Sequence, residues 1–248
     1  MDVKYTALFL AAAVLAPSAA AAEEPAAANG EKPDTTLARI IDRPHTVAYA
    51  EVGALALPTA PINQKQASGT IGVLHGDVAI QTGIHILYRW NRDFAAGAAA
   101  IFAPSPLAKN NEYGGLRSLP RTHSRTYLFL GGEGRWIPIH TGFVEGWVGL
   151  SGGGIIVADR FSTDVGDDVP EILGQKEVTI RTEGLSLGAQ GGVNYYLTEH
   201  WIAGADLRGY AWFLPSTPRC SSIGDCASLS GTVEAFELGL TIGYRLAL

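Results

Sequence analysis

Beyond its first 22 residues the 248-residue chain has no run approaching the ~18 apolar residues that a membrane-spanning helix needs. If it sits in a membrane, it must do so as strands closed into a barrel, because only then is every backbone polar group paired. There is also no basic run and no basic patch interleaved with aromatics, and with 18 Lys and Arg against 24 Asp and Glu the net charge is -6. Nucleic acid is therefore not an expected partner. Cysteine is scarce. The only pair, Cys220 and Cys226, has no other Cys or His beside it, so a metal site lacks ligands. In an oxidising compartment these two are expected to form one disulfide closing a small loop. No metal and no other cofactor is expected.

What is present begins with Lys4, an apolar core from Ala7 to Leu15, and Ala20-Ala21-Ala22 before Glu23, which together read as a secretory signal peptide over 1–22. No Cys lies near that cleavage site, which argues against a lipoprotein anchor. Residues 23–44 are rich in Ala, Pro, Glu and Asp without periodicity and read as a flexible periplasmic leader. The remaining 45–248 suits a single β-domain of about 200 residues.

Within it, polar and apolar residues alternate with period two. From Val233 to Leu248 the residues Phe236, Leu238, Leu240, Ile242, Tyr244, Leu246 and Leu248 share one face, and Glu237, Gly239, Thr241, Gly243 and Arg245 the other. Asp77 to Trp90 repeats the pattern with Val78, Ile80, Ile84, Ile86, Tyr88 and Trp90 against Asp77, Gln81, His85 and Arg89. Further strands are expected over Val47 to Leu57, Phe94 to Phe102, Ser124 to Ile139, Phe143 to Asp159, Leu185 to Leu197 and Trp201 to Leu214. The eight connect through alternating long and short links, the short ones at Asn91-Arg92-Asp93, His140-Thr141-Gly142 and Thr198-Glu199-His200. Both chain ends then fall on the short-turn side, as in an outer-membrane barrel with periplasmic termini. Tyr88, Trp90, Phe94, Trp136, Phe143, Tyr195, Tyr196, Trp201 and Tyr244 cluster at that side and are expected to form an interfacial girdle.

The terminal strand and this topology resemble the small eight-stranded outer-membrane barrels, namely the transmembrane domain of OmpA and the OmpX and Ail group. Leu248 stands where that family ends on an aromatic residue, and the periplasmic wall-binding domain of OmpA-type proteins is not seen after the barrel. The resemblance implies an all-β, eight-stranded antiparallel up-and-down transmembrane barrel in the cell outer membrane. It also implies lipid and lipopolysaccharide around the wall, insertion by the barrel assembly machinery, and an extracellular ligand as a further partner through the loops.

Inward positions carry Glu51, Arg89, Arg125, Glu133, Arg135, Glu145, Asp206, Arg208, Glu237 and Arg245, as well as Asp77. An eight-stranded barrel is just wide enough for its own side chains, and charges held there must pair. The expectation is a lumen plugged by salt bridges, with a narrow solute pore as the alternative. Catalysis is not expected, although a lipid A-modifying barrel is a competing reading. Ser151 and Ser186 each lie in a Gly-x-Ser-x-Gly, but on alternating strands rather than the sharp turn that motif requires. His123 and Ser124 are adjacent and so face opposite ways, and His85 reads as a hydrogen-bonded interior residue. Asp164, Asp167 and Asp168 in an acidic loop from Arg160 to Thr182 lack the spacing of a calcium site. The role expected is structural, or surface interaction through the loops. A soluble periplasmic β-sandwich is the other fold reading.

Overall fold

A computed structural model describes residues 43–65, 71–105, 122–162, 177–222 and 225–246. The expected signal peptide, the leader up to residue 42, and Asp164, Asp167 and Asp168 lie outside these residues. Eight strands follow one another: β1 (His45–Lys65), β2 (Ile71–Arg89), β3 (Phe94–Ser105), β4 (Thr122–Thr141), β5 (Val144–Ser162), β6 (Glu177–Tyr196), β7 (Trp201–Phe213) and β8 (Thr232–Leu246). Each pairs antiparallel with its neighbour, and β8 returns to β1 from Thr46↔Leu246 to Ala56↔Phe236, so the sheet is a closed barrel. The sandwich reading is thereby excluded.

The stagger of the barrel follows from its register. Starting at Ala56 and stepping through partners Phe236, Gly209, Ala189, Leu150, Gly134, Ala96 and Tyr88, the path re-enters β1 at Thr46, ten residues lower. A shear of ten over eight strands tilts them by roughly 40° and leaves an interior that side chains can fill.

Alternation then sorts the residues. On β2, Val78, Ile80, Ile84, Ile86 and Tyr88 point outward and are exposed, while Asp77, Gln81, His85 and Arg89 point inward and are buried. Outside, this apolar belt spans roughly 25 Å along the axis from Tyr88 to Val78, the thickness expected of a transmembrane wall. On the same outer face Arg160, Arg181, Glu183 and Glu234 stand above the belt. At the short-turn end Trp90 stacks on Phe94 with ring centroids 6.4 Å apart, and Trp201 meets Tyr244 edge-on at 5.0 Å. Among the described residues no helix is long and apolar enough to span a membrane.

Local chemistry makes the short turns. The Asn91 carboxamide oxygen accepts the backbone N–H of Asp93 and Phe94 at 2.9 and 2.8 Å. Thr198 does the same with its hydroxyl for His200 and Trp201. Gly142, at φ 55°, takes the left-handed conformation in the tightest turn.

Several expectations need correction. Tyr196 is 4% exposed and points into the barrel, so it does not belong to the girdle. It ends a strand whose inward set is Gln190, Asn194 and Tyr196, and period two leaves the outward place to Tyr195. β5 runs to Ser162 and β6 begins at Glu177, so both sides of the supposed acidic loop are strand. β1 and β2 likewise run on to Lys65 and from Ile71, with a register shift between Leu57 and Pro61, so their connection is only 66–70. Proline and turn residues there masked a ladder that continues past a bulge.

Candidate functional site

The interior is the part of the fold where chemistry-bearing residues converge, and it is layered. Reading inward positions up β4 gives Arg135 and Glu133, then Phe129 and Tyr127, then Arg125 and His123. β1, β2, β5 and β7 contribute to the same polar and apolar tiers.

The lowest polar tier joins Arg89 to Glu145, at 2.9 and 3.0 Å, with the Tyr196 hydroxyl donating to Glu145 at 2.7 Å. Arg89 also donates to the backbone oxygens of Asn91 and Arg92 and so ties the first short turn to the lumen. His140 reaches Glu145 at 3.2 Å. Above it lie Val47, Tyr49, Leu87 and Ile202. A void of about 20 Å³ remains here, lined in part by Arg89, Arg135, Glu145, Trp147 and Asn194, with room for about one water.

The central tier is the densest. Arg208 of β7 reaches across to Glu51 of β1 at 2.5 Å and lies 3.2 Å from Asp206 and 3.5 Å from Glu237. The His85 ring is wedged between two carboxylates, Nε2 at 2.7 Å from Glu51 and Nδ1 at 3.1 Å from Glu133, so its doubly protonated form donates to both. Arg135 pairs with Glu133 at 3.1 Å and lays its guanidinium 3.9 Å over the Trp147 ring. Gln81 donates to Glu51 at 2.7 Å and Gln190 to Glu133 at 3.1 Å. Asp206 Oδ1 is within ion-pair reach of Arg208 but has no aligned donor. Gly239 makes the convergence possible: a Cβ there would sit 2.8 Å from Glu51 Oε1 and 2.9 Å from Asp206 Oδ1.

Over this tier sits an apolar one, with Leu55, Leu57, Ile101, Phe129, Ile155, Val157, Tyr210, Trp212 and Leu229 among its members. The top tier is polar again. Asp77 accepts from Ser105 at 2.8 Å, from Tyr127 at 2.6 Å and from Arg125 at 3.2 Å. Asp159 lies 2.6 Å from His123 Nε2 and 3.6 Å from Arg125, and accepts from the Ser228 hydroxyl at 2.5 Å and its backbone N–H at 3.1 Å.

The structure thus brings Glu51, Glu133, Arg135, Asp206, Arg208 and Glu237 into one tier, puts Arg89 and Glu145 in a second, and places Arg125 in a third. Arg245 stands at the short-turn rim, only half-buried, and its backbone N–H donates to His200. Cys220 and Cys226 are disulfide-bonded. Ser151 and Ser186 are both buried on flat strands. His123 points inward, where it lies 2.6 Å from Asp159 and stacks on Phe161, and Ser124 points the other way. Sequence reasoning missed several contributors, Ser105 and Tyr127 beside Asp77 and, at the mouth, Asp159 and Ser228. Asp159 continues the inward alternation of Ile155 and Val157, a signal that was present in the sequence. Ser228 lies in a loop with no periodicity to reveal it.

No protein-family model and no curated protein matches the sequence. Among solved structures, the chain is similar to Neisserial surface protein A at 15% identity over 81% of this chain and 96% of that one, TM-score 0.48. It is similar to Ail of Yersinia pestis at 13% over 83% and 99%, TM-score 0.44. It is likewise similar to the outer membrane protein OprG from Pseudomonas aeruginosa at 11% over 84% and 99%, TM-score 0.42. These likenesses are too distant to carry function, and the barrel is read from this chain's own ladders.

Proposed function

We propose that the chain is an outer-membrane barrel whose lumen is closed by paired charges, and that it serves as a structural element or presents its loops to partners outside the cell. The observation that carries this reading is the pairing of two features on the same strands. The outer face is an apolar belt of transmembrane height with aromatic residues at one end, and the inner face is filled by ion pairs and packed aromatics. An exposed belt of this kind on a closed ring is stable only in lipid. Arg89 of β2 reaches Glu145 of β5 and Tyr196 of β6 across the interior, and at mid-height His85 of β2 links Glu51 of β1 to Glu133 of β4, which leaves little free cross-section for solute.

In this reading residues 1–22 direct export and are removed, the barrel assembly machinery inserts the strands, and phospholipid and lipopolysaccharide surround the belt. The loops at the long-connection end, held on a rigid wall, are the surface offered to an extracellular ligand. The test is migration of the outer-membrane fraction on a detergent gel, unheated against boiled, together with single-channel recording of the refolded protein. A heat-dependent shift with no stable conductance is expected. Release into the soluble periplasm with no shift would overturn the membrane placement. A stable, large conductance would overturn the closed lumen, and altered lipid A acylation in a deletion strain would replace it with the enzyme reading.

A further inference from the structure

The foot of the lumen holds more hydrogen-bond donors than free acceptors. Period two turns Glu145 and Trp147 of β5 inward together, and Arg135 of the neighbouring β4 turns inward as well. Trp147 is 3% exposed, and its ring has room over β6 because position 192 is glycine: a Cβ there would sit 2.8 Å from the indole Cζ2. The Arg135 guanidinium lies 3.9 Å from the centre of that ring and donates from a terminal nitrogen to Glu133 at 3.1 Å. Its Nε–H and the Trp147 indole N–H have no hydrogen-bond partner among the described residues, although both side chains are more than nine-tenths buried. Both residues line the void of about 20 Å³ at this level, together with Arg89, Glu145 and Asn194.

We propose that this void is a binding site for a single small anion of the halide class, held by the Arg135 Nε–H and the Trp147 indole N–H.

Three observations favour an anion. First, a buried N–H without an acceptor is costly, and two of them border one space, so one acceptor placed there removes both costs. The carboxylate on the lining cannot serve, because Glu145 already takes Arg89 on both oxygens, the Tyr196 hydroxyl and His140. Second, two guanidiniums, Arg89 and Arg135, line the void against that one carboxylate. Glu133, the partner of Arg135, is shared on its other side with His85 and Gln190. The field at the void is therefore positive, which repels a metal cation and favours an anion over neutral water. Third, the space admits one water-sized sphere. A halide fits, and a tetrahedral oxyanion such as phosphate or sulfate does not. Once bound, the anion joins Arg135 of β4 to Trp147 of β5 and so tightens the foot of the barrel. A sealed site presupposes the closed lumen, and the two readings fail separately: single-channel recording decides closure, and halide binding decides the site.

The test uses the refolded full chain. Crystals grown in sodium bromide should show an anomalous peak in the void, at hydrogen-bonding distance from Arg135 Nε and Trp147 Nε1. In lipid vesicles, urea unfolding is measured in sodium chloride against sodium gluconate at equal ionic strength, because gluconate is too large for the void. For a site half-filled at about 10 mM, chloride at about 0.1 M should raise the folded-to-unfolded ratio by about tenfold. Trp147→Phe keeps a ring beside Arg135 but removes the donor, and should abolish the bromide peak and most of the chloride dependence. No peak in bromide crystals, or equal stability in chloride and gluconate, overturns the site and leaves water as its occupant. A bromide peak without chloride dependence in solution is binding at crystal concentration only and overturns it too. So does a chloride dependence that Trp147→Phe leaves intact, since the effect then arises elsewhere. Should Trp147→Phe fail to fold, the wild-type measurements decide alone.

Discussion

The central and upper tiers of the lumen are enclosed by the same eight strands and filled in opposite ways. The central one is built from Glu51, His85, Glu133, Asp206, Arg208 and Glu237, the upper one from Leu55, Phe129, Ile155, Tyr210 and Trp212. Hydrocarbon in the upper tier is held by packing, which is local and tolerates change in small steps. Ions in the central tier are held only as a set, because each member is tolerable only while its partners stay. The barrel therefore has one filling whose members can be changed one at a time and one whose members cannot.

The comparison breaks most visibly at Arg208. Its guanidinium serves Glu51, Asp206 and Glu237 at once. Arg208→Ala leaves three carboxylates facing one another and should cost about 3–5 kcal/mol in urea unfolding from vesicles, the range for removing one side of a buried ion cluster. Adding Glu51→Leu to Arg208→Met should recover part of the loss, because removing both ends of a buried pair costs less than removing one. If Arg208→Ala unfolds at the wild-type midpoint, the central tier is solvated and the contrast between tiers disappears.

In the upper tier Leu55, 1% exposed, lies on the same strand as Glu51. Leu55→Ala should cost about 2–4 kcal/mol, the loss of buried methyl groups plus the cavity left behind. A cost near zero would mean that the tier is already water-filled, contrary to its packing.

How legible this was depends on which interactions are periodic. Val233 to Leu248 announced its two faces because period two is a property of the strand alone. Arg208 and Glu237 could be read as inward for the same reason. That Arg208 selects Glu51, 157 positions earlier, could not be read, because the choice depends on the ten-residue stagger that brings β7 and β1 to one height. Tyr195-Tyr196 was misread because two adjacent aromatics look alike in composition and only register separates them. Ser228 left no trace at all. A loop that turns inward does so through tertiary contacts to Asp159 and Arg125, and nothing in the run Ala227-Ser228-Leu229 differs from an ordinary surface loop.

The smallest effect belongs outside the wall. Arg160 and Glu177 pair at 2.9 Å across β5 and β6 with more than half of each side chain exposed. Their geometry is as good as that of Arg89 with Glu145 in the lowest tier, which separates geometry from environment as the cause of strength. Solvent screening should hold Arg160→Ala to roughly 0–0.5 kcal/mol, and raising salt to about 1 M should erase the difference between variant and wild type. Arg208→Ala should keep its full cost at the same salt, since mobile ions do not enter a packed interior. A loss at Arg160 comparable to that at Arg208 would mean that burial is not what makes the central tier indispensable.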